Sequence, residues 1–171
     1  MVSVKNRGKQ LEKLIEYTNR AYKLRGVAVV DKVPTPWTVR YNRQRNKVIN
    51  AWPEKKSTVD FVGVAQGRPI AFEVKSTNER TRFPLDLIQD HQVEYLRRFH
   101  DAGGMAFFII GFDKLDEVYF LPVCFVEKYI EVAEAGGRKS IPIQDFREKF
   151  PRIGSKGSYP VHYLEFALGG I

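Results

Sequence analysis

Thr58-Val59-Asp60-Phe61-Val62-Gly63-Val64-Ala65-Gln66-Gly67-Arg68-Pro69-Ile70-Ala71-Phe72-Glu73-Val74-Lys75 is two β-forming arms around a Gln66-Gly67 dipeptide. That composition predicts a hairpin of Thr58 to Val64 and Arg68 to Lys75 closed by a two-residue turn. Counting outward from the turn sets Asp60 opposite Glu73 and Thr58 opposite Lys75. Side chains alternate across a strand, so Glu73 and Lys75 share one face while Ile70, Phe72 and Val74 take the other. One face is therefore expected to be chemical and the other core. Opposed carboxylates with Cβ atoms roughly 5 Å apart repel each other, and a divalent cation is the natural compensation.

Around this hairpin the sequence alternates helical and strand patterns. Leu11, Leu14, Ile15, Thr18 and Tyr22 recur at helical spacing between Lys9 and Arg25, with Gly26 as the stop. Val27 to Val30 reads as a strand ended by Pro34-Thr35-Pro36. After the hairpin, a helix is expected from Asp90 to His100, burying Val93, Leu96 and Phe99 and closing at Gly103-Gly104. Met105 to Ile110 is an uninterrupted apolar run, suited to a strand covered on both faces, and the preceding helix supplies the crossover a parallel neighbour needs. Val118 to Leu121 adds a strand and Val123 to Ala135 a helix. A shorter helix near Gln144 to Phe150 and a strand near Val161 to Phe166 complete the expectation.

The 171 residues are 43% apolar, enough for one domain with a sizeable core. Lys and Arg number 28 against 20 Asp and Glu, a formal charge of +8, and the pI is near 9.6. Such a balance favours a polyanionic partner such as nucleic acid, with solubility alone as the plainer alternative. Cys124 is the single cysteine, which excludes an intrachain disulfide and a Cys-rich zinc site and fits a reducing cytoplasm. The N-terminal stretch is polar and basic, and no run approaches the roughly 20 apolar residues of a membrane span, so neither secretion nor membrane insertion is expected.

Arg40 to Lys56 interrupts this regularity. Arg40, Arg43, Arg45, Lys47, Lys55 and Lys56 face one acid, Glu54, with Tyr41 and Trp52 interspersed. Cations neutralise phosphates and aromatics stack on exposed bases. Two readings follow: a protruding element that contacts nucleic acid, or a solvated loop whose aromatics tuck back onto the body.

Hydrolysis of a phosphodiester needs charge neutralisation, an activated water and a stabilised leaving oxygen, all of which a metal supplies. Asp60 and Glu73 offer the hard oxygen ligands that suit Mg²⁺ or Mn²⁺, with the Val74 carbonyl a further candidate. Lys75, two residues on, is placed to orient the attacking water and stabilise charge developing on phosphorus. Glu12 on the first helix either turns toward this cluster or faces solvent. Gln92, near the start of the second helix, either holds a water or phosphate oxygen or is a polar surface residue. His91, His100 and His162 show no ligand or triad spacing, Ser57 and Ser76 lack a nucleophile's partner, and the glycines form no nucleotide-binding loop.

The order of these residues resembles the restriction-endonuclease-like nucleases with a PD-(D/E)xK motif, and more narrowly the RecU-type Holliday junction resolvases of Gram-positive bacteria. The resemblance is carried by Asn6-Arg7-Gly8 with Leu11-Glu12 and Thr18-Asn19, Lys32 to Pro36, Ser57 to Asp60, Phe72 to Lys75, Phe83-Pro84-Leu85 and His91-Gln92-Val93-Glu94. Val59 stands where the motif's name has proline, and the Arg40 to Lys56 segment is only loosely similar. The resemblance implies an α/β restriction-endonuclease-like core of αβββαβ order with a mixed sheet flanked by helices. It implies a Mg²⁺ site of Asp60, Glu73 and Glu12, with Mn²⁺ as a substitute, Lys75 as catalytic lysine and Gln92 in support. It further implies that residues 40–56 form a basic stalk entering a four-way junction, with Arg43 and Trp52 prominent. A homodimer matches the two-fold symmetry of paired cuts on that DNA, and recombination proteins are further partners, in a cytoplasmic, nucleoid-associated setting. A flap or site-specific nuclease on the same core and a non-catalytic recombination accessory protein are the competing functions.

Overall fold

The computed structural model describes residues 8–34, 37–42, 44, 46–53 and 58–169, without the side chains of Lys9, Trp52 and Pro53. Helix α1 (Gly8–Leu24) leads into β1 (Ala28–Lys32), and the hairpin of β2 (Trp37–Asn42) and β3 (Lys47–Pro53) follows. Next come β4 (Phe61–Ala65), β5 (Arg68–Thr77), β6 (Arg82–Pro84), a 3-10 turn over Leu85–Leu87, α2 (Asp90–Asp101), β7 (Met105–Phe112) and β8 (Glu117–Pro122). Helix α3 (Val123–Glu134), β9 (Ser140–Pro142), α4 (Ile143–Lys149) and α5 (Leu164–Leu168) end the chain.

The central sheet has the order β1-β4-β5-β7-β8. It is mixed: β5 and β7 run parallel, and the other neighbours antiparallel. Leaving out the inserted β2–β3 pair, α1, β1, β4, β5, α2 and β7 follow one another in the expected αβββαβ order. The turn is as the dipeptide requires. Gln66 and Gly67 have φ of 49° and 77°, both positive as in a type I′ turn, and the register runs from Ala65 opposite Arg68 to Phe61 opposite Phe72.

Core forms on both faces of this sheet. On one, Phe61, Phe72 and Phe107 stack across three strands with centroids 5.0 and 4.9 Å apart, and Phe120 continues the row 4.5 Å from Phe107. Leu11, Ile15 and Tyr22 of α1 close over it. On the other, Ala71, Phe108 and Ile110 meet Val93 and Leu96 of α2, Val126 of α3 and Phe146 of α4. The face that carries Glu73 is thus chemical only around that residue and apolar beyond it. Strand β7 is buried along its whole length, as the unbroken apolar run predicts.

Four expectations are corrected. Strand β4 begins at Phe61 rather than Thr58, because Asp60 lies in a bend, so Lys75 has no ladder partner at Thr58. Leu14 is not core but 41% exposed. The strand expected near Val161 to Phe166 is a turn followed by α5: Val161 is tied by its N–H to the Thr18 hydroxyl, and Leu164 and Ala167 then bury at helical spacing. The solvated-loop reading of the interruption fails for its described part, since β2 and β3 form a two-stranded antiparallel sheet of their own. The small β6–β9 sheet was not anticipated; with Pro84 and Pro142 at its ends it is too short for a period-2 signal.

At Gly63, opposite Val30, β1 leaves no room for a side chain on β4. A Cβ added there falls 2.1 Å from the Val29 carbonyl oxygen and 2.5 Å from the Val30 Cα. Gly63→Ala therefore forces the edge strand outward, and thermal unfolding is expected to show a loss of about 1–3 kcal/mol, the usual cost of overpacking. Gln66→Asn should act oppositely, gaining up to about 1 kcal/mol because Asn tolerates the left-handed conformation better.

Candidate active site

The hairpin register brings the two acids together, and backbone donors lock them. Asp60 donates its N–H to Glu73 Oε2 at 3.0 Å, and Val74 donates its N–H to Asp60 Oδ2 at 2.9 Å. Each carboxylate thus accepts from the other's strand. From the outer side, Val33 N–H donates to the Asp60 carbonyl at 2.8 Å, fastening the end of β1 to the bend that holds Asp60.

Glu73 is 3% exposed and almost fully engaged. Its Oε1 receives the Lys75 ammonium at 2.9 Å and the Gln92 Nε2 amide. Gln92 is itself aimed: it is the third residue of α2, and its Oε1 accepts the Gln89 N–H at 3.2 Å as part of a capping box. With one amide end held by the helix cap, the other is directed at Glu73. The alternative of a surface Gln92 is excluded by its burial.

Glu12 lies at the edge of this group. Its Oε2 accepts from Lys32 Nζ at 2.6 Å, and Lys32 also reaches Glu16 at 3.1 Å. The Glu12 charge is nonetheless felt at Asp60. Lys32 is a site neighbour that spacing did not expose, because nothing in a strand-end lysine reveals two carboxylates a helix away. Partial burial works against its charge, but Glu12 and Glu16 outweigh it and hold its pKa above the ordinary value.

The two central acids are electrostatically strained. Burial, then the Asp60 charge, pushes Glu73 from an ordinary 4.5 up to about 7, against the pull of the Lys75 ammonium. Burial also raises Asp60, with Glu12 adding to it and the Val74 N–H, Lys75 and Lys32 opposing. Among the described residues no three His, Cys, Asp or Glu side chains group closely enough to hold a metal ion. The Asp60–Glu73 pair still suits a hard cation. Three of the roughly four lone-pair directions of the Glu73 carboxylate are used, Asp60 Oδ1 has no hydrogen-bond partner among the described residues, and a second positive charge would relieve both shifts.

Of the residues expected to touch nucleic acid, Arg40 and Lys47 stand exposed on β2 and β3. Arg43, Arg45, Lys55, Lys56 and the Trp52 side chain lie outside the described residues, as do Asn6, Arg7 and Ser57. His162 is a structural residue whose Nδ1 pairs with the Tyr22 hydroxyl at 2.8 Å while its ring stacks on Tyr159. Cys124 is free and exposed, and no described helix is long and apolar enough to cross a membrane.

The sequence model of RecU, described as Recombination protein U, matches residues 6–168. The chain belongs to the RecU family. A Lactococcus lactis relative named Holliday junction resolvase RecU is 38% identical over 170 residues, covering 96% of this chain and 78% of its own length. A Staphylococcus aureus relative of the same name is 40% identical over 163 residues, covering 93% and 78%. Among solved structures, the Holliday junction resolvase Hjc of Archaeoglobus fulgidus is similar with a TM-score of 0.41 and 17% identity, covering 90% of this chain and 98% of Hjc.

Glu73 is raised above its ordinary value, so the stability it contributes is full below about 4.5 and is lost as pH rises through about 7, and Asp60, also raised, acts in the same direction. Metal-free protein is therefore expected to melt at lower temperature at pH 8 than at pH 5, by on the order of 1–3 kcal/mol. Millimolar Mg²⁺ or Mn²⁺ should raise the melting temperature more at pH 8 than at pH 5. A metal-induced shift of equal size at both would show that the pair does not take the cation.

Proposed function

We propose that this RecU-family chain is a Mg²⁺-dependent endonuclease that resolves four-way (Holliday) DNA junctions by paired symmetric nicks, acting as a homodimer, with Mn²⁺ able to replace Mg²⁺. The observation that carries this is the convergence of Asp60, Glu73 and Lys75 on one hairpin. That its relatives bear the name Holliday junction resolvase supports the choice of substrate.

Asp60 and Glu73 would hold the cation, with Glu12 as the third acid. The chemistry the cation supplies is neutralisation of the phosphoryl oxygen and a lowered pKa for water. Lys75 carries the rest of the charge work: its side chain, 18% exposed, is near enough to solvent to meet the attacking water and close enough to Glu73 to stay oriented. Gln92 keeps Glu73 in its rotamer. Arg40 and Lys47, with Arg43, Arg45, Trp52, Lys55 and Lys56 of the same segment, form the stalk that enters the junction, their cations on phosphates and their aromatics on unstacked bases. Two copies about a two-fold axis would cut strands of like polarity together. Recombination proteins in the bacterial nucleoid are the natural company for such an enzyme.

Labelled four-way junction and matched duplex, incubated with Mg²⁺, provide the test. Symmetric nicks are expected on the junction alone. Asp60→Ala and Lys75→Ala should each lower cleavage by at least about 100-fold while junction binding persists. Full cleavage by either variant would remove the assigned centre, cutting of flap or duplex DNA would favour the other nuclease readings, and no turnover under any metal would favour an accessory role.

A further inference from the structure

We infer that the groove between α1 and β1 is a second phosphodiester-binding subsite, which holds the DNA strand three to five nucleotides from the bond that is cut. The inference rests on the endonuclease reading above and names a contact surface outside its catalytic cluster and its stalk.

The groove is a cavity of about 330 Å³ that begins at Lys32 and Phe61, next to Asp60, and runs along α1 past Glu16, Asn19, Arg20 and Lys23. Its charges do not cancel. Glu16 and Lys32 are paired with each other, whereas Arg20 and Lys23 are exposed and have no ion pair among the described residues. Asp31 is the one acid left to oppose them, so the wall formed by α1 offers two uncommitted cations.

Asn19 adds an observation of a different kind. It is 5% exposed, and its Nδ2 is the one buried side-chain polar atom among the described residues that lacks a hydrogen-bond partner. Its Oδ1 is taken by the Tyr163 hydroxyl at 2.6 Å, which holds the amide and leaves the nitrogen as the side still to be satisfied. Buried donors are rarely left unmet in a native structure. Asn19 also lines the groove, so a phosphate oxygen seated there, reached by a small outward turn of the enclosed amide, supplies the acceptor that Nδ2 lacks.

The spacing fits a strand already engaged at the carboxylates. Along a helix rising 1.5 Å per residue, Arg20 and Lys23 lie about 12 and 17 Å from Glu12. At about 3.4 Å of rise per nucleotide in a B-form strand, that is about three to five nucleotides.

Binding to a four-way junction, measured across a salt series, tests this without relying on turnover. Arg20 and Lys23 are exposed helix positions, so R20A/K23A should fold normally. It is expected to lower the slope of log K against log salt by about 1.8, two phosphate contacts at roughly 0.9 each. Hydroxyl-radical protection three to five nucleotides from the nick should disappear in this variant and persist in K128A, on α3. N19D, which keeps the acceptor for Tyr163 but replaces the donor with an anionic oxygen, should weaken binding in the same direction. If wild-type protein binds and cuts the junction while R20A/K23A keeps the full salt slope and the full footprint, the subsite is overturned and the nuclease reading stands. If wild-type protein binds no DNA, both fall.

Discussion

The carboxylates of Glu73, buried, and Asp60, half-buried, are brought together just beyond the end of a strand register that neither of them sets. The register is set by the Gln66-Gly67 turn at one end and by the Phe61, Phe72 and Phe107 stack on the opposite face of the sheet. Slipping the pairing by one residue would swing the phenylalanines out of the core and expose several hundred Å² of aromatic surface. The repulsion between Asp60 and Glu73 is weaker than that penalty, so it is tolerated. The hydrophobic face thus holds the two acids in a geometry that electrostatics alone would reject.

What the fold leaves over, local hydrogen bonds distribute. Glu73 is surrounded by donors of three origins: a backbone N–H from the bend, an ammonium from its own strand, and an amide from a helix N-terminus. These donors favour the charged carboxylate and burial disfavours it, and the balance leaves Glu73 near 7. A group so poised changes charge with small changes in its surroundings. Gln92 matters here less as a donor than as a link, because it ties the rotamer of Glu73 to the capping of α2 and so to the packing of Val93 and Leu96 against the sheet.

Most of the sheet and its central acids were legible in the sequence for plain reasons. A two-residue turn with Gly at its second position defines its register arithmetically, and an eight-residue apolar strand has little choice but to be covered on both faces. The misses have reasons of equal plainness. Trp37-Thr38-Val39-Arg40-Tyr41-Asn42 alternates as cleanly as any strand in the chain, but its apolar residues are exposed and its surroundings are highly charged, so the pattern reads as irregular when burial is assumed. The segment after Val161 has strand-forming composition, yet Thr18 takes its backbone N–H and α5 follows. That is a tertiary decision no local propensity contains. The pairing of Glu12 with Lys32 likewise joins residues 20 apart through the packing of α1 on β1.

The same packing explains how a ribbon outside the central sheet can stay in step with the site. In chain order β2 and β3 are inserted between Lys32, which holds Glu12, and Asp60, which donates its N–H to Glu73. Val33 N–H to the Asp60 carbonyl, at 2.8 Å, joins the two sides of the insertion. A two-stranded ribbon is marginal by itself. That hydrogen bond closes the insertion at the residue whose carboxylate accepts the Val74 N–H, so the exposed Arg40 and Lys47 belong to a segment that is pinned, in chain order, at the candidate site.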